Sequence, residues 1–220
     1  MFIGHYAPAL AVGANGKIKL WQAFIAVQVL DFAWAGLNIA GVEKTRITEG
    51  FAGNSPLDLY HMPYSHSLGM SLIWAVIAAV LFAIVFRKQA RVGAILFGVL
   101  VFSHWVMDLL VHKPDLALWF GSNKVGFGLW EKPLLANILE LGLFIAGMVW
   151  YLSKTIATGM VGKYYPIAFI GLFAAIHAIG QTMPTPKSMS EFTITALASY
   201  ILLALLAAGL DKTRRQRIAP

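Results

Sequence analysis

The chain has 220 residues, of which 59% are hydrophobic and 12% are charged, and its mean hydropathy is +0.71. Soluble domains are closer to half apolar and a quarter charged, so this composition excludes an ordinary soluble domain and predicts an integral membrane protein. The formal net charge of +7 does not indicate nucleic-acid binding, because the basic residues cluster beside apolar segments, where they set membrane topology. The absence of cysteine excludes disulfides and thiolate metal sites.

About six apolar segments are long enough to cross a bilayer, for which a helix needs roughly 20 apolar residues. A shorter apolar segment, residues 1–14, precedes them, and we expect it to form a short helix or a re-entrant segment packed on the bundle. The sequence therefore predicts an all-α, polytopic transmembrane helical bundle that forms one domain over residues 1–220. The predicted spans cover residues 20–41, 68–86, 92–112, 134–152, 164–181 and 192–210.

The basic residues predict how these spans are oriented. In a six-span topology, eleven of the 17 lysines and arginines fall on one side of the membrane and six on the other. Cytoplasmic loops carry the excess, so we expect a cytoplasmic C-terminus and place the connections 42–64 and 113–132 outside. The second connection contains aromatic residues that we expect at the level of the lipid headgroups, namely Trp119, Phe120, Phe127 and Trp130.

Ionisable residues recur at a spacing of four near the end of the third predicted span: His104, Asp108 and His112. On a helix each four-residue step advances about 400°, so these side chains form one stripe that climbs roughly 12 Å along the axis. Ionisable groups are costly in hydrocarbon and normally face a protein interior or a wet cavity. The stripe therefore predicts a functional site.

Further polar residues are expected to reach the same outer half of the bundle. Asp31 lies within the first predicted span, and His61 and His66 lie just before the second. Nitrogen and carboxylate ligands without sulfur suit zinc, manganese or iron, and a catalytic site holds its ion with three or four protein ligands. We therefore expect a divalent transition metal here, with zinc favoured.

Four other ionisable residues have two interpretations each. Glu140 and Asp115 are candidates for the general base or acid of a metal-assisted reaction. Glu140 is equally compatible with a structural role between helices, and Asp115, which follows a proline, with a turn or a helix cap. His112 is either a ligand or a hydrated residue at the interface. His177 is more typical of a hydrogen bond between helices than of a ligand.

These motifs resemble the YdjM-like family of bacterial inner-membrane metal-dependent hydrolases. Family members carry a Gly-His near the N-terminus, matched by Gly4-His5, and an acidic motif at the end of an apolar segment, matched by Asp31. A His-Arg-Gly-x-Thr-His-Ser element follows, matched in spacing by residues 61–67. The last motif is Ser-His with Asp four residues after the histidine, matched by Ser103-His104 and Asp108.

The resemblance covers roughly residues 1–115 and implies a metal-dependent hydrolase of the bacterial inner membrane. It implies the following metal ligands: His5, Asp31, His61, His66, His104 and Asp108.

The chain departs from the family pattern in two places. Ala33 and Trp34 stand where the acidic motif usually continues with a second Asp and a His. This change removes a possible bridging ligand and favours a one-metal site or an inactive relative. Met62 stands at the position of the arginine in the His-Arg-Gly-x-Thr-His-Ser element. This change removes a cation that could hold a phosphate. Three basic residues could substitute for it, namely Arg46, Lys113 and Lys124.

The leading hypothesis is a metal-dependent hydrolase acting on a lipid or other amphiphilic phosphoester at the outer membrane–water interface. A noncatalytic, metal-stabilised membrane subunit and a proton or divalent-cation transporter are the alternatives, together with a haem protein whose axial ligands would be His104 and His177. A transporter would need ionisable groups through the whole membrane depth, and the cytoplasmic halves of the spans hold few. The partner is expected to be a membrane lipid or amphiphilic substrate, and a homo-oligomer or a larger membrane complex is an open alternative.

Overall fold

A computed structural model of the chain describes residues 3–53, 55–121, 123–182 and 184–217. These residues form a bundle of eight α-helices with three small two-stranded sheets, which confirms the predicted all-α transmembrane class. The helices are α1 (Tyr6–Gly13), α2 (Leu20–Ala26), α3 (Val29–Ile39), α4 (Leu68–Val85), α5 (Ala90–Val111), α6 (Pro133–Lys154), α7 (Met160–Thr182) and α8 (Met189–Lys212).

Helices α4 to α8 are each long and apolar enough to cross a membrane. The first predicted span is instead a broken helix, because α2 and α3 meet at an angle of 48° and make a sixth span only if they are counted together. The break lies at Val27 and Gln28. The Gln28 amide bonds the Ile25 carbonyl in a tightened turn, and α3 begins anew with the Phe32 amide on the Gln28 carbonyl.

The N-terminal segment is a short helix inside the bundle. A 3-10 turn over Ile3–His5, which is entirely buried, leads into α1, where five of the eight residues are buried. Helix α1 packs against α2 and α6. It approaches α6 at Gly147, where a Cβ atom would lie only 3.0 Å from the Ala7 Cα. The predicted short N-terminal helix is thus confirmed, and its start carries His5 into the interior.

Helices α4 and α5 form a tightly packed pair that holds the predicted stripe in place. Gly98 of α5 lies against the backbone of α4, since a Cβ atom there would be 3.0 Å from the Ala75 carbonyl oxygen. The inward face of α5 buries His104, Trp105 and Asp108. The stripe therefore faces the protein interior, as its cost in hydrocarbon requires.

Short antiparallel strands connect the helices, a feature that the sequence analysis did not predict. Strands β1 (Lys44–Ala52) and β2 (Ser55–His61) form a hairpin, β3 (Leu116–Ala117) pairs with β4 (Lys124–Val125), and β5 (Thr155–Ala157) pairs with β6 (Arg214–Gln216). The hairpin is attached to α3 by a hydrogen bond from the Trp34 indole to the Thr45 hydroxyl. Lys113, just beyond α5, donates to the Phe51 carbonyl of β1. The hairpin therefore lies at the end of the bundle where α5 ends.

Candidate metal centre

Six of the predicted site residues converge in a single buried cluster, which we call the His/Asp cluster. The N-terminal 3-10 turn supplies one, α3 and the turn before α4 supply one each, and α5 and its C-cap supply the rest. The members are His5, Asp31, His66, His104, Asp108 and His112.

The Asp108 carboxylate lies at the centre of the His/Asp cluster, and its two oxygens face different pairs of imidazoles. Oδ1 is 3.2 Å from His5 Nε2 and 3.7 Å from His112 Nε2. Oδ2 is 3.1 Å from His104 Nε2 and 3.6 Å from His66 Nε2. The Asp31 Oδ1 atom lies 3.5 Å from the Nε2 atoms of both His66 and His104. Four ring nitrogens therefore surround two carboxylates.

The helix break between α2 and α3 orients His104. Its Nδ1 atom lies 2.6 Å from the Val27 carbonyl oxygen, which sits at the break. A carbonyl oxygen accepts hydrogen bonds and cannot donate them, so the proton of His104 resides on Nδ1. The Nε2 atom then turns its lone pair toward the two carboxylates.

A chain of hydrogen bonds through Ser65 orients His66. The Ser65 hydroxyl donates to Glu43 Oε2 at 2.6 Å and accepts from His66 Nδ1 at 2.7 Å. The other oxygen of Glu43 accepts the backbone N–H groups of Tyr64 and Ser65, both at 2.8 Å. Glu43 thereby fixes the turn before α4 and, through Ser65, leaves the Nε2 lone pair of His66 free to coordinate.

His112 is held in the same way by a carboxylate. Its Nδ1 atom donates to Asp115 Oδ1 at 2.9 Å, and its ring packs on Trp130 at a centroid distance of 4.4 Å. Histidines that bind metals almost always donate their second ring N–H to a carboxylate, a backbone carbonyl or water. His104 and His112 follow this pattern, with a backbone carbonyl and a carboxylate as acceptors, and the Ser65 hydroxyl takes the corresponding position for His66.

The arrangement is suited to a cation. In the neutral forms of His66, His104 and His112 that donate through Nδ1, the Nε2 lone pair faces a carboxylate oxygen at 3.1–3.7 Å, and a bound cation would satisfy both atoms. Within the described residues, the buried Nε2 atoms of His5 and His104 have no hydrogen-bond partner. Burial lowers the pKa of His5 and so favours its neutral, coordinating form. The donor set fits a divalent transition metal.

The His/Asp cluster opens to its surroundings at one edge. The His104 and Asp108 side chains are 1% and 3% exposed, whereas the Asp31 side chain is 19% exposed. The Tyr200 hydroxyl of α8 donates to Asp31 Oδ2 at 3.0 Å, which leaves Oδ1 directed at His66 and His104. The edge of the His/Asp cluster at Asp31 is therefore its least buried part.

Three predicted site residues lie elsewhere. His61 is at the exposed end of β2, where its ring contacts Tyr64 at 6.4 Å, because the strand continues through this position and separates it from the turn that carries His66. Glu140 faces His177 of α7, with Oε2 at 3.6 Å from Nδ1. Asp115 contacts the outer nitrogen of His112 instead of the cluster centre. We therefore leave His61 out of the ligand set, and neither carboxylate is placed as the general acid or base.

The sequence analysis missed the residues that orient the ligands. Ser65 precedes His66 directly, which is a weak signal, while Glu43 lies far away in the chain and was counted only as part of a polar loop. The three cations considered for phosphate binding are used to attach loops: Arg46 pairs with Asp58, Lys113 with Phe51 and Glu131, and Lys124 with the Tyr60 carbonyl.

Comparisons of this chain with protein-family models, with curated proteins and with solved structures found no match. The resemblance to the YdjM-like hydrolases therefore stays a prediction from motif spacing. The case for a metal centre stands on the geometry of the His/Asp cluster itself.

Proposed function

We propose that this membrane protein is a metal-dependent hydrolase of the bacterial inner membrane that cleaves a phosphoester in a lipid or another amphiphile. The observation that carries the proposal is the convergence of oriented Nε2 atoms on two carboxylates, beside an edge that is open at Asp31. A purely structural metal site is normally closed by four protein ligands, whereas a catalytic site keeps a position for substrate or water.

The part of the His/Asp cluster nearest this edge supplies two imidazoles and one carboxylate. His66, His104 and Asp31 place one ligand atom each within 4.8 Å of the others. Two histidines and one carboxylate make a recurrent ligand set of catalytic zinc and of non-haem iron sites. Zinc is the ion that we favour, and manganese or iron would also accept these ligands.

When bound, a divalent ion supplies a Lewis acid that polarises the phosphoryl oxygen and makes a water molecule a better nucleophile. In the hydrolysis, the water oxygen bonds to phosphorus and the bond between phosphorus and the ester oxygen breaks. The water loses one proton and the leaving oxygen gains one. Tyr200 donates to Asp31 Oδ2 and so holds this ligand in position at the edge of the cluster.

Aromatic side chains beside the His/Asp cluster support an amphiphilic substrate. Trp119 and Phe120, which are about half exposed, contact each other, and Phe120 also contacts Tyr64 in the turn that carries His66. The loop is attached to the start of α4 by the Gly69 amide, which donates to the Leu118 carbonyl. Aromatic residues are enriched at the membrane–water interface, where a lipid phosphoester also lies.

The topology expected from the lysines and arginines places this end of the bundle at the outer face of the membrane, with the C-terminus in the cytoplasm. A lipid would then present its headgroup to the Asp31 edge from the outer leaflet.

The test is hydrolysis of phospholipid vesicles and of a matched short-chain phosphoester by the purified full chain. We expect cleavage that stops on chelation, returns when zinc is added, and is faster for the vesicles. His104→Ala should abolish it, while His61→Ala, a histidine outside the cluster, should retain it. If the protein binds metal stoichiometrically but none of these esters is cleaved in a metal-dependent way, the hydrolase proposal is wrong and the noncatalytic alternative replaces it.

A further inference from the structure

We propose that the His/Asp cluster holds two divalent cations bridged by the Asp108 carboxylate. The inference rests on the proposed metal centre and adds a second ion to it. The first ion would use Asp31, His66 and His104, and the second would use His5 and His112. Asp108 would contribute Oδ2 to the first ion and Oδ1 to the second, which leaves a fifth position on the first ion and a fourth on the second for water or substrate.

The number and grouping of the ligands argue against a single ion. A zinc site with four ligands cannot use four imidazoles and two carboxylates, and an octahedral ion that used all six would keep no open position. Moreover, two groups of three residues have ligand atoms that all lie within 4.8 Å of one another. One group is Asp31, His66 and His104, and the other is His5, His104 and Asp108. His104 belongs to both groups, so its assignment decides how the ions are arranged.

The orientation of the His5 ring separates it from His104. The two imidazoles stack with their centroids 3.9 Å apart and their planes only 11° from parallel. The lone pair of a ring nitrogen lies in the plane of the ring, so two stacked rings direct their lone pairs along neighbouring parallel planes. Such rings do not converge on a common ion at the usual distance of about 2.0–2.1 Å. His5 and His104 therefore serve different ions.

Asp108 is placed to join the two ions. Its Oδ1 atom faces His5 and His112, at 3.2 and 3.7 Å, and its Oδ2 atom faces His104 and His66, at 3.1 and 3.6 Å. Each oxygen thus lies with its own pair of imidazoles. Carboxylates that bridge two metals divide their oxygens in this way, and such ions lie about 3.5–4 Å apart in hydrolytic sites.

This assignment changes what the departure at Ala33 implies. The missing second Asp of the acidic motif was expected to remove a bridging ligand and to favour a one-metal site. In the folded chain a bridging position is already filled by Asp108, which reaches the centre from α5. The second ion lies on the buried side of the bridge, where His5 is 1% exposed and His112 is 3% exposed.

The test is a titration of the metal-depleted full chain with Mn²⁺ in detergent, followed by electron paramagnetic resonance. We expect two equivalents of Mn²⁺ per chain at saturation and a spectrum of two exchange-coupled ions. His112→Ala and His5→Ala should each reduce the stoichiometry to one and leave the spectrum of an isolated ion. His177→Ala, a histidine outside the cluster, should keep two coupled ions. His112 lies at the end of α5, so its replacement disturbs the core less than that of His5 and serves as the primary variant.

One equivalent at saturation, or two equivalents without coupling, would overturn the proposal, as would two coupled ions in His112→Ala. The wild-type titration alone decides between one ion and two if a variant fails to fold. The experiments distinguish failure of the proposed function from failure of this inference. If two coupled ions bind but no ester is hydrolysed, the two-ion inference holds and the hydrolase proposal is wrong. If an ester is hydrolysed by a protein with a single ion, the hydrolase proposal holds and the two-ion inference is wrong.

Discussion

At the level of single residues, the chemistry of the His/Asp cluster depends on the nitrogen atoms that face away from it. Val27, Ser65 and Asp115 each accept a hydrogen bond from the Nδ1 atom of one histidine. A neutral imidazole has one donor and one acceptor nitrogen, so fixing Nδ1 as the donor makes Nε2 the ligand atom. The surrounding residues therefore select the tautomers that can bind a metal.

Replacing Ser65 tests this selection. Ser65→Ala removes the acceptor for His66 Nδ1 and leaves the Glu43 carboxylate without its hydroxyl donor. We expect metal affinity to fall by about 10- to 100-fold, the usual cost of losing a partner that orients a ligand. Competition with a chelator of known affinity measures the change. Ser103→Ala is the matched control, because Ser103 adjoins His104 but donates to the Leu100 carbonyl. Equal affinities in the two variants would contradict the selection of tautomers by Ser65.

The sequence predicted ligands better than it predicted their partners. His104 and Asp108 were found by their helical spacing and by the cost of ionisable groups in hydrocarbon, and both arguments apply without knowledge of the fold. Glu43 could not be found this way, because its role depends on a turn that brings it to residues 64 and 65. His61 and His66 looked equivalent by type and spacing, and only the end of β2 separates them.

At the level of elements, two features bring the ligands of separate segments together. The break at Val27 directs α3 so that Asp31 reaches the cluster, and it also provides the carbonyl that binds His104. The burial of α1 carries His5 to Asp108 from the opposite side. In a continuous first span the Val27 carbonyl would accept the Asp31 amide of its own helix, and an N-terminal helix bound at the surface would hold His5 away from Asp108.

The packing of α1 against α6 can be tested at Gly147. Gly147→Leu places a side chain where even a Cβ atom would meet the Ala7 backbone at 3.0 Å, so α1 must shift and take His5 with it. We expect a lower thermal midpoint and reduced metal content, measured on the purified protein. Gly142→Leu, on the same helix with open space around it, is the control for helix propensity and should keep both. Full metal content in Gly147→Leu would contradict the role assigned to the packing of α1.

Helix positions followed from hydropathy, since α4 to α8 lie close to the predicted spans. The break in the first span could not be predicted in this way, because residues 20–41 contain no proline and only one charged residue, Asp31, and a single glutamine such as Gln28 is not a helix-breaking signal. The β1–β2 hairpin was taken for a loop because its glycines and proline dominate the pattern. Its strands depend on attachment to the bundle through Trp34 and Lys113, which a local pattern does not contain.

At the level of the whole molecule, the two ends of the bundle have different character. One end carries the His/Asp cluster, the β1–β2 hairpin and the aromatic loop. The other is closed by β5 and β6, where the Arg214 guanidinium donates to Thr155 and to the Gly162 carbonyl. The excess of lysine and arginine beside this second end is the basis of the orientation that we propose.

The absence of native cysteine makes this orientation directly testable. Glu49→Cys places an exposed thiol on β1, at the cluster end, and Lys88→Cys places one in the basic turn between α4 and α5. In intact bacterial cells we expect a membrane-impermeant maleimide to label the first variant and to label the second only after permeabilisation. Labelling of Lys88→Cys alone in intact cells would place the cluster in the cytoplasm and contradict the outward orientation.

The claim that the His/Asp cluster is a metal centre is tested most directly by elemental analysis of the purified chain after equilibration with zinc. Wild type and His61→Ala should retain stoichiometric metal after removal of free ions, because His61 lies outside the cluster. Asp108→Ala should lose it, since Asp108 is the carboxylate that all four imidazoles of the cluster face. A wild-type protein without bound metal, or equal metal content in all three proteins, would contradict the account.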